Sequence, residues 1–315
     1  MTTTTATETA TLQSPFSEMG ALRAFWEFCR PHTIIGTTLA VWVFYVLASS
    51  AAGRHDVMLV LLTWAASLSV NVYIVGINQI TDVDIDRINK PYLPLASGAF
   101  SMATGKALVT VFGVLSLALS AVVSPWLLGT IGVVFFLGTA YSLPPLRLKR
   151  FPFFAASAIT LARAIVGNIG VYLTYSYALS GEATLPPFVL AFVAFMFLFV
   201  IVIALMKDVP DIEGDRRHQI STFVVRLGAT KIMMLCRAIL TVAYVGMIAA
   251  GLLGLPGVHP LVTAGAHGLA LAALWGLSAK TDDENADDAY RYYMHIWKLF
   301  YFEFAAFTVA VLLAG

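Results

Sequence analysis

Apolar residues run almost unbroken for about 20 positions at a time along most of the chain, and charge, proline and glycine collect in the short stretches between. A helix of about 20 residues crosses a hydrocarbon layer roughly 30 Å thick, so the pattern predicts membrane-spanning helices. They cover 33–51, 57–77, 103–123, 126–143, 154–175, 186–206, 231–252, 260–279 and 293–314, nine in all. The third and fourth nearly abut at Pro125. None of these runs alternates polar with apolar residues as the strands of a membrane barrel do. The predicted fold class is therefore all-α, a polytopic helical membrane protein.

Composition agrees. Of 315 residues 59% are hydrophobic and 12% charged, against about 25% charged in soluble domains. The mean hydropathy is +0.83, so membrane lipid is the expected solvent. No nucleic-acid partner is expected, and the oligomeric state is not legible. Charge placement gives an orientation, because cytoplasmic loops are rich in Lys and Arg. With the N-terminus inside, Arg23, Arg30, Arg87, Lys90, Arg147, Lys149, Arg150, Lys207, Arg216, Arg217, Lys280 and Arg291 fall on or near the cytoplasmic side, and Arg54 falls outside. The expected location is a bacterial plasma membrane or a thylakoid membrane. Residues 1–20 are Thr-rich without Lys or Arg, unlike a basic signal peptide or an Arg-rich transit peptide. They read as a disordered tail ahead of one domain, 21–315. Cys29 and Cys236 are two lone thiols far apart, expected to serve packing.

Acidic residues are costly near membrane spans, so their clustering is informative. One cluster ends the second span (NVYIVGINQITDVDIDRINKP) and another ends the sixth (ALMKDVPDIEGDRRHQIST). Asn71, Asn78, Asp82 and Asp86 are spaced by seven, four and four, which keeps them within a stripe roughly 80° wide on a helix. Asp84 projects the opposite way. Asp208, Asp211 and Asp215 are spaced three and four; they share a face if the helix continues, and Pro210 and Gly214 leave that open. Glu213 projects off this stripe towards solvent. Grouped carboxylates repel one another unless a cation lies among them, and hard oxygen ligands select magnesium or calcium. Magnesium is held by one or two carboxylates and completes its shell with phosphate oxygens. Two acidic groups thus suggest two Mg2+ ions around one diphosphate.

Basic residues suit the same chemistry, since a departing diphosphate develops negative charge. Arg147, Lys149 and Arg150 lie in YSLPPLRLKR, Lys207 precedes the second acidic motif, and Arg87 and Lys90 follow the first. Arg163 lies inside the fifth span with Asn168 five residues on, and an intramembrane Arg is expected to face a cavity. His218 follows Arg216 and Arg217 in a solvated loop; His55, His259, His267 and His295 show no ligand spacing. Trp26, Trp297, Tyr290, Tyr292 and Tyr293 read as an interfacial aromatic belt.

NQITDVDID followed by KDVPDIEGD closely resembles the paired signatures of the UbiA superfamily of intramembrane prenyltransferases. Within it, RPHTIIGT (30–37), NVYIVGINQITDVDIDRINKPYLPLASG (71–98), AYSLPPLRLKRF (140–151) and KDVPDIEGDR (207–216) look like the homogentisate phytyltransferases of cyanobacteria and plastids. The resemblance covers about 21–315. It implies a nine-helix bundle around a central cavity, with the Asp motifs facing each other under a cytoplasmic cap. It implies Asn78, Asp82 and Asp86 as ligands of one magnesium ion, and Asp208, Asp211 and Asp215 of the other. Tyr141 and Lys149 fall in the segment that helps hold the diphosphate. Asn168 is retained in VGNIG, with Gly167 where a larger residue is familiar. The implied substrates are phytyl diphosphate and homogentisate, with geranylgeranyl or solanesyl as alternative tails. Homogentisate carries an acetate group needing a cationic partner, for which Arg30 and His32 of RPHT are candidates.

A cation-coupled transporter is the rival from another class. Its acids should sit near mid-span, whereas here they collect at one membrane face, and the two halves do not read as an inverted repeat.

Overall fold

The computed structural model describes residues 19–217 and 222–314. The tail expected over 1–20 falls almost wholly outside them, as does His218, and the side chain of Glu213 is likewise outside the description. Among the described residues the fold is all-helical. Nine helices of the described residues are long and apolar enough to cross a membrane: α1 Pro31–Ala52, α2 Val57–Asn89, α3 Met102–Val123, α4 Pro125–Ser142, α5 Pro152–Ser180, α6 Pro187–Met206, α7 Ala229–Leu252, α8 Pro260–Ser278 and α9 Ala286–Leu312.

Proline sets several of the starts. Pro31, Pro125, Pro152, Pro187 and Pro260 each occupy the first turn of a span, where the missing N–H has no partner to lose. The break at 124 follows the same logic. Pro125 disfavours a helical Ser124, which is extended at φ −170° and ψ 159°. Its hydroxyl then caps α4 by accepting from the Leu127 N–H at 3.1 Å.

The spans close into a ring. Each of α1–α2, α4–α5, α5–α6, α6–α7, α7–α8 and α8–α9 packs together, α2 also packs on α4, and α9 returns to α1; α1 packs across on α5 and α6 on α9, and α3 lies outside, against α2 and α4. Lipid tails are as apolar as Leu, so these contacts depend on close fit rather than on water exclusion. Small residues provide it. A Cβ on Gly138 of α4 would lie 2.4 Å from Ile74 of α2, and one on Gly170 of α5 would lie 2.0 Å from Thr130 of α4.

Three departures from the sequence reading matter for the site. First, α2 runs to Asn89 but is non-helical at Asp82 (φ −120°, ψ 15°), so the acidic stripe is bent at its centre. Second, α6 stops at Met206, and Asp208 and Asp211 sit in a turn ahead of the short helix Ile212–Arg217, which packs on α2. Pro210, with no N–H to donate, cannot sustain the i→i−4 ladder there. Third, α9 begins at Ala286 rather than near 293. Asn285 Oδ1 accepts from the Asp287 and Asp288 N–H groups at 3.0 Å each, and the two acids favour the positive helix terminus. This early start carries Tyr292, Tyr293 and Trp297 into the bundle, where they are 2%, 8% and 2% exposed. The aromatic-belt expectation is thus overturned for these three, while Trp26 does remain 47% exposed. Cys29 and Cys236 are free and buried.

Candidate active site

At the end of the ring where α2 and α6 finish, a cavity of about 860 Å3 opens. Asn78, Asp82 and Asp86 contribute from α2; Asp208, Asp211 and Asp215 face them from the segment after α6. Residues 122 positions apart are joined directly, with Asn89 Nδ2 donating to the Asp211 carbonyl at 3.2 Å.

Basic side chains reach into the carboxylates. Lys149 Nζ donates to Asp82 Oδ1 and to Thr81 Oγ1, both at 2.6 Å. Asn78 Nδ2 donates to the other Asp82 oxygen at 2.9 Å. Arg147 Nη2 stands 3.9 Å from Asp82 Oδ1. Lys90 pairs with Asp211, and Lys207 with Asp208. Asp84 instead pairs with Arg87 at the surface, with 80% of its side chain exposed, as its off-stripe position predicts.

The electrostatics follow from burial. Burial works against the Lys207 charge, but the adjoining Asp208 carboxylate prevails and lifts its pKa well above that of an ordinary lysine. Burial likewise pulls the Lys149 ammonium down, with Asp82 opposing. Burial, then the charges of Asp208 and Asp211, push Asp215 up to about 7. Asp86 is 5% exposed and its Oδ2 has no hydrogen-bond partner. Acidic and basic side chains thus alternate around the cavity, with Asp86 and Asp215 the two buried carboxylates that form no ion pair among the described residues.

Backbone strain marks the same place. Among the described residues, the non-glycine residues at positive φ are Arg30 (φ 54°) and Arg147 (φ 37°), and both line this cavity. Such conformations cost of order 1–3 kcal/mol and cluster at functional sites.

A second cavity of about 270 Å3 continues into the membrane between α1, α2, α4, α5, α6 and α9. Arg30, His32, Asn78, Lys207 and Tyr293 line both. Asn71, Tyr141, Arg163 and Asn168 line the inner one alone. Asn71 thus stands apart from the carboxylates whose stripe it shares in sequence, its Nδ2 donating to Thr33 Oγ1 of α1 at 2.9 Å. Tyr141 is likewise separated from Lys149. Sequence reasoning missed the wall that α9 provides: Tyr293, Trp297 and Tyr301, spaced by four, face the cavities. That spacing was a helical signal, hidden by assigning the aromatics to a belt.

Among the described residues no three His, Cys, Asp or Glu side chains converge into a ready metal cage.

The family model of UbiA prenyltransferases matches residues 37–299. The chain belongs to the UbiA prenyltransferase family. It is 42% identical over 301 residues to a homogentisate phytyltransferase of Synechocystis sp., covering 93% of this chain and 97% of that protein. It is 38% identical to a homogentisate geranylgeranyltransferase of Triticum aestivum, covering 90% and 71%. The fold is similar to that of a UbiA homolog from Archaeoglobus fulgidus solved with GPP and Mg2+ bound (TM-score 0.64, 17% identity, 90% and 99% of the two chains). UbiA membership accounts for the membrane ring, and this chain is a prenyltransferase of that family.

Proposed function

We propose that the chain transfers phytyl from phytyl diphosphate to homogentisate, releasing diphosphate and carbon dioxide and forming 2-methyl-6-phytylbenzoquinol, a step toward tocopherols. The observation carrying this reading is the pair of opposed carboxylate groups across one basic cavity, in a chain 42% identical to a homogentisate phytyltransferase. Geranylgeranyl and solanesyl remain the alternative tails, since the 38% identical wheat relative is named for geranylgeranyl.

The donor set fits Mg2+: hard carboxylate oxygens, one of them a buried Asp86 oxygen lacking any partner. Asn78, Asp82 and Asp86 would hold one ion, and Asp208, Asp211 and Asp215 a second, each only with diphosphate oxygens completing the shell, because no three described acidic side chains converge into a cage by themselves. When bound, the ions neutralise the diphosphate and so favour loss of the leaving group. Lys149, Arg147, Lys207 and Arg30 hold the diphosphate oxygens and stabilise the charge that develops as the allylic C–O bond breaks. The apolar inner walls exclude water from the allylic cation. A ring carbon of the hydroquinone then bonds to that carbon, the ring proton departs, and the acetate loses carbon dioxide and gains a proton to become methyl. No nucleophilic side chain is required. The charge pattern supports a cytoplasmic site with the N-terminus inside, in a bacterial plasma or thylakoid membrane.

The test is a competition assay. Purified protein receives homogentisate with phytyl, geranylgeranyl and solanesyl diphosphates together, with and without Mg2+. Magnesium-dependent release of diphosphate with phytylated product dominating is expected. Failure to release diphosphate from any pair would remove the enzyme reading, and a cation flux in vesicles would favour the transporter.

A further inference from the structure

The inner cavity holds cations without anions. Its lining includes Arg30, Arg163 and Lys207 but no Asp or Glu, whereas six carboxylates line the outer one. Lys207 is paired with Asp208, and Arg30 stands at the boundary, open to both spaces. Arg163 is different. It lines the inner cavity alone and forms no ion pair with any described carboxylate. A guanidinium at this depth is expensive unless an anion or an aromatic face compensates it. The Trp297 ring supplies part, with the Arg163 Cζ 5.6 Å from its centroid.

The backbone is shaped around this side chain. Leu161–Val166 is a π-helical turn inside α5, a local insertion that recurs at functional sites. In an α-helix residues five apart diverge; i→i+5 bonding brings them towards one face. Arg163 and Asn168 accordingly line the same cavity. His32 also meets the Trp297 indole edge-on, at 5.0 Å between ring centroids.

We propose that Arg163 anchors the carboxylate of the aromatic acceptor, with the paired Trp297 and His32 rings forming one wall beside its ring and Asn168 close by. This assigns the acceptor's acetate to α5 rather than to Arg30, which is left to the diphosphate, and it rests on the aromatic prenyltransferase reading above. Electrostatics favour it. An unpaired guanidinium beside the inner wall would repel the allylic cation as it forms, whereas an Arg163–carboxylate pair is neutral and leaves the ring free to attack. The planar guanidinium also binds a carboxylate through two parallel hydrogen bonds, which fixes ring orientation as well as position.

The experiment measures Arg163→Met, Arg163→Gln and Arg163→Lys for turnover and for direct binding. Charge-assisted hydrogen bonds of this kind are worth roughly 10- to 100-fold. Arg163→Met and Arg163→Gln should raise the KM for homogentisate by about that factor while moving the KM for the prenyl diphosphate by less than about twofold. The preference for homogentisate over methylhydroquinone, which lacks the carboxylate, should collapse by the same factor, and Arg163→Lys should recover part of it. Equilibrium binding of phenylacetate to detergent-purified protein gives a readout independent of turnover. Wild type should bind it and Arg163→Gln should not. If the wild type turns over no acceptor yet binds phenylacetate through Arg163, the reaction assigned above fails and the carboxylate site stands. If the variants lose donor affinity instead, or keep the homogentisate KM, the anchor assignment is overturned. Where Arg163→Met does not fold, the Gln and Lys variants decide.

Discussion

Lys149 Nζ lies 2.6 Å from Asp82 Oδ1, joining the turn after α4 to the bend in α2 across 67 residues of sequence. The same ammonium bonds Thr81, and Asp82 is held on its other oxygen by Asn78. One carboxylate thus ties together the residues that would meet a cation and those that would meet a diphosphate. Lys149→Met is expected to lower kcat by about 100- to 1000-fold, the usual loss when one preorganised donor to a developing anion is removed. Steady-state kinetics on purified protein, with thermal melting as a folding control, checks it.

Asp82→Asn and Asp208→Asn each remove one full charge from opposite carboxylate groups. Both variants are expected to insert into the membrane and to lose turnover. Asp84→Asn is expected to stay within about 0.5 kcal/mol of wild type in stability, because the side chain is a solvated surface partner of Arg87. Near wild-type rates in either the Asp82 or the Asp208 variant would sink the two-ion assignment.

As a magnesium ligand, Asp215 would give the magnesium requirement a pH dependence. Burial and the neighbouring Asp208 and Asp211 raise its pKa to about 7, so protons compete with the cation below that value. The half-saturating Mg2+ concentration should therefore rise as pH falls from 8 towards 6, each unit below the pKa approaching a tenfold change for one titrating ligand. Asp215→Asn should flatten that slope. Magnesium titrations of diphosphate release at fixed pH read it directly.

The close packing of α5 on α4 predicts a stability effect remote from the chemistry. A Cβ on Gly170 would stand 2.0 Å from Thr130 Oγ1, so Gly170→Leu should overpack the ring and lower the thermal midpoint, at about 1–3 kcal/mol. Gly129, with no neighbour near its Cβ position, should accept Ala with little change.

In α9, Glu303 is fully buried, with its Oε2 3.2 Å from His267 Nε2 of α8. The other His267 nitrogen, Nδ1, bonds the Thr263 carbonyl at 2.7 Å. Glu303→Ala should destabilise the α8–α9 contact by roughly 1–3 kcal/mol, because it removes the polar neighbour of a buried imidazole and leaves a void. Thermal unfolding in detergent would show it, and an unchanged midpoint would mean that the contact contributes no net stability.

Much was written in the sequence. Unbroken apolar runs admit no fold but a membrane one, since only helices or closed barrels satisfy every backbone group in lipid, and the absence of alternation left helices. The spacing of Asn78, Asp82 and Asp86 placed them together because helical periodicity is local. Tertiary structure decided what lies beyond one helix. It brought Lys149 and Arg147 onto Asp82, bent α2 there, and set Asp208, Asp211 and Asp215 in a turn and short helix facing it. It also turned Tyr293 and Trp297 inward and left Arg163 over an indole with no ion-pair partner among the described residues. These relations join residues distant in the chain. They depend on how eight of the described spans close into a ring with α3 outside it, and no local pattern of hydrophobic and polar positions specifies that closure.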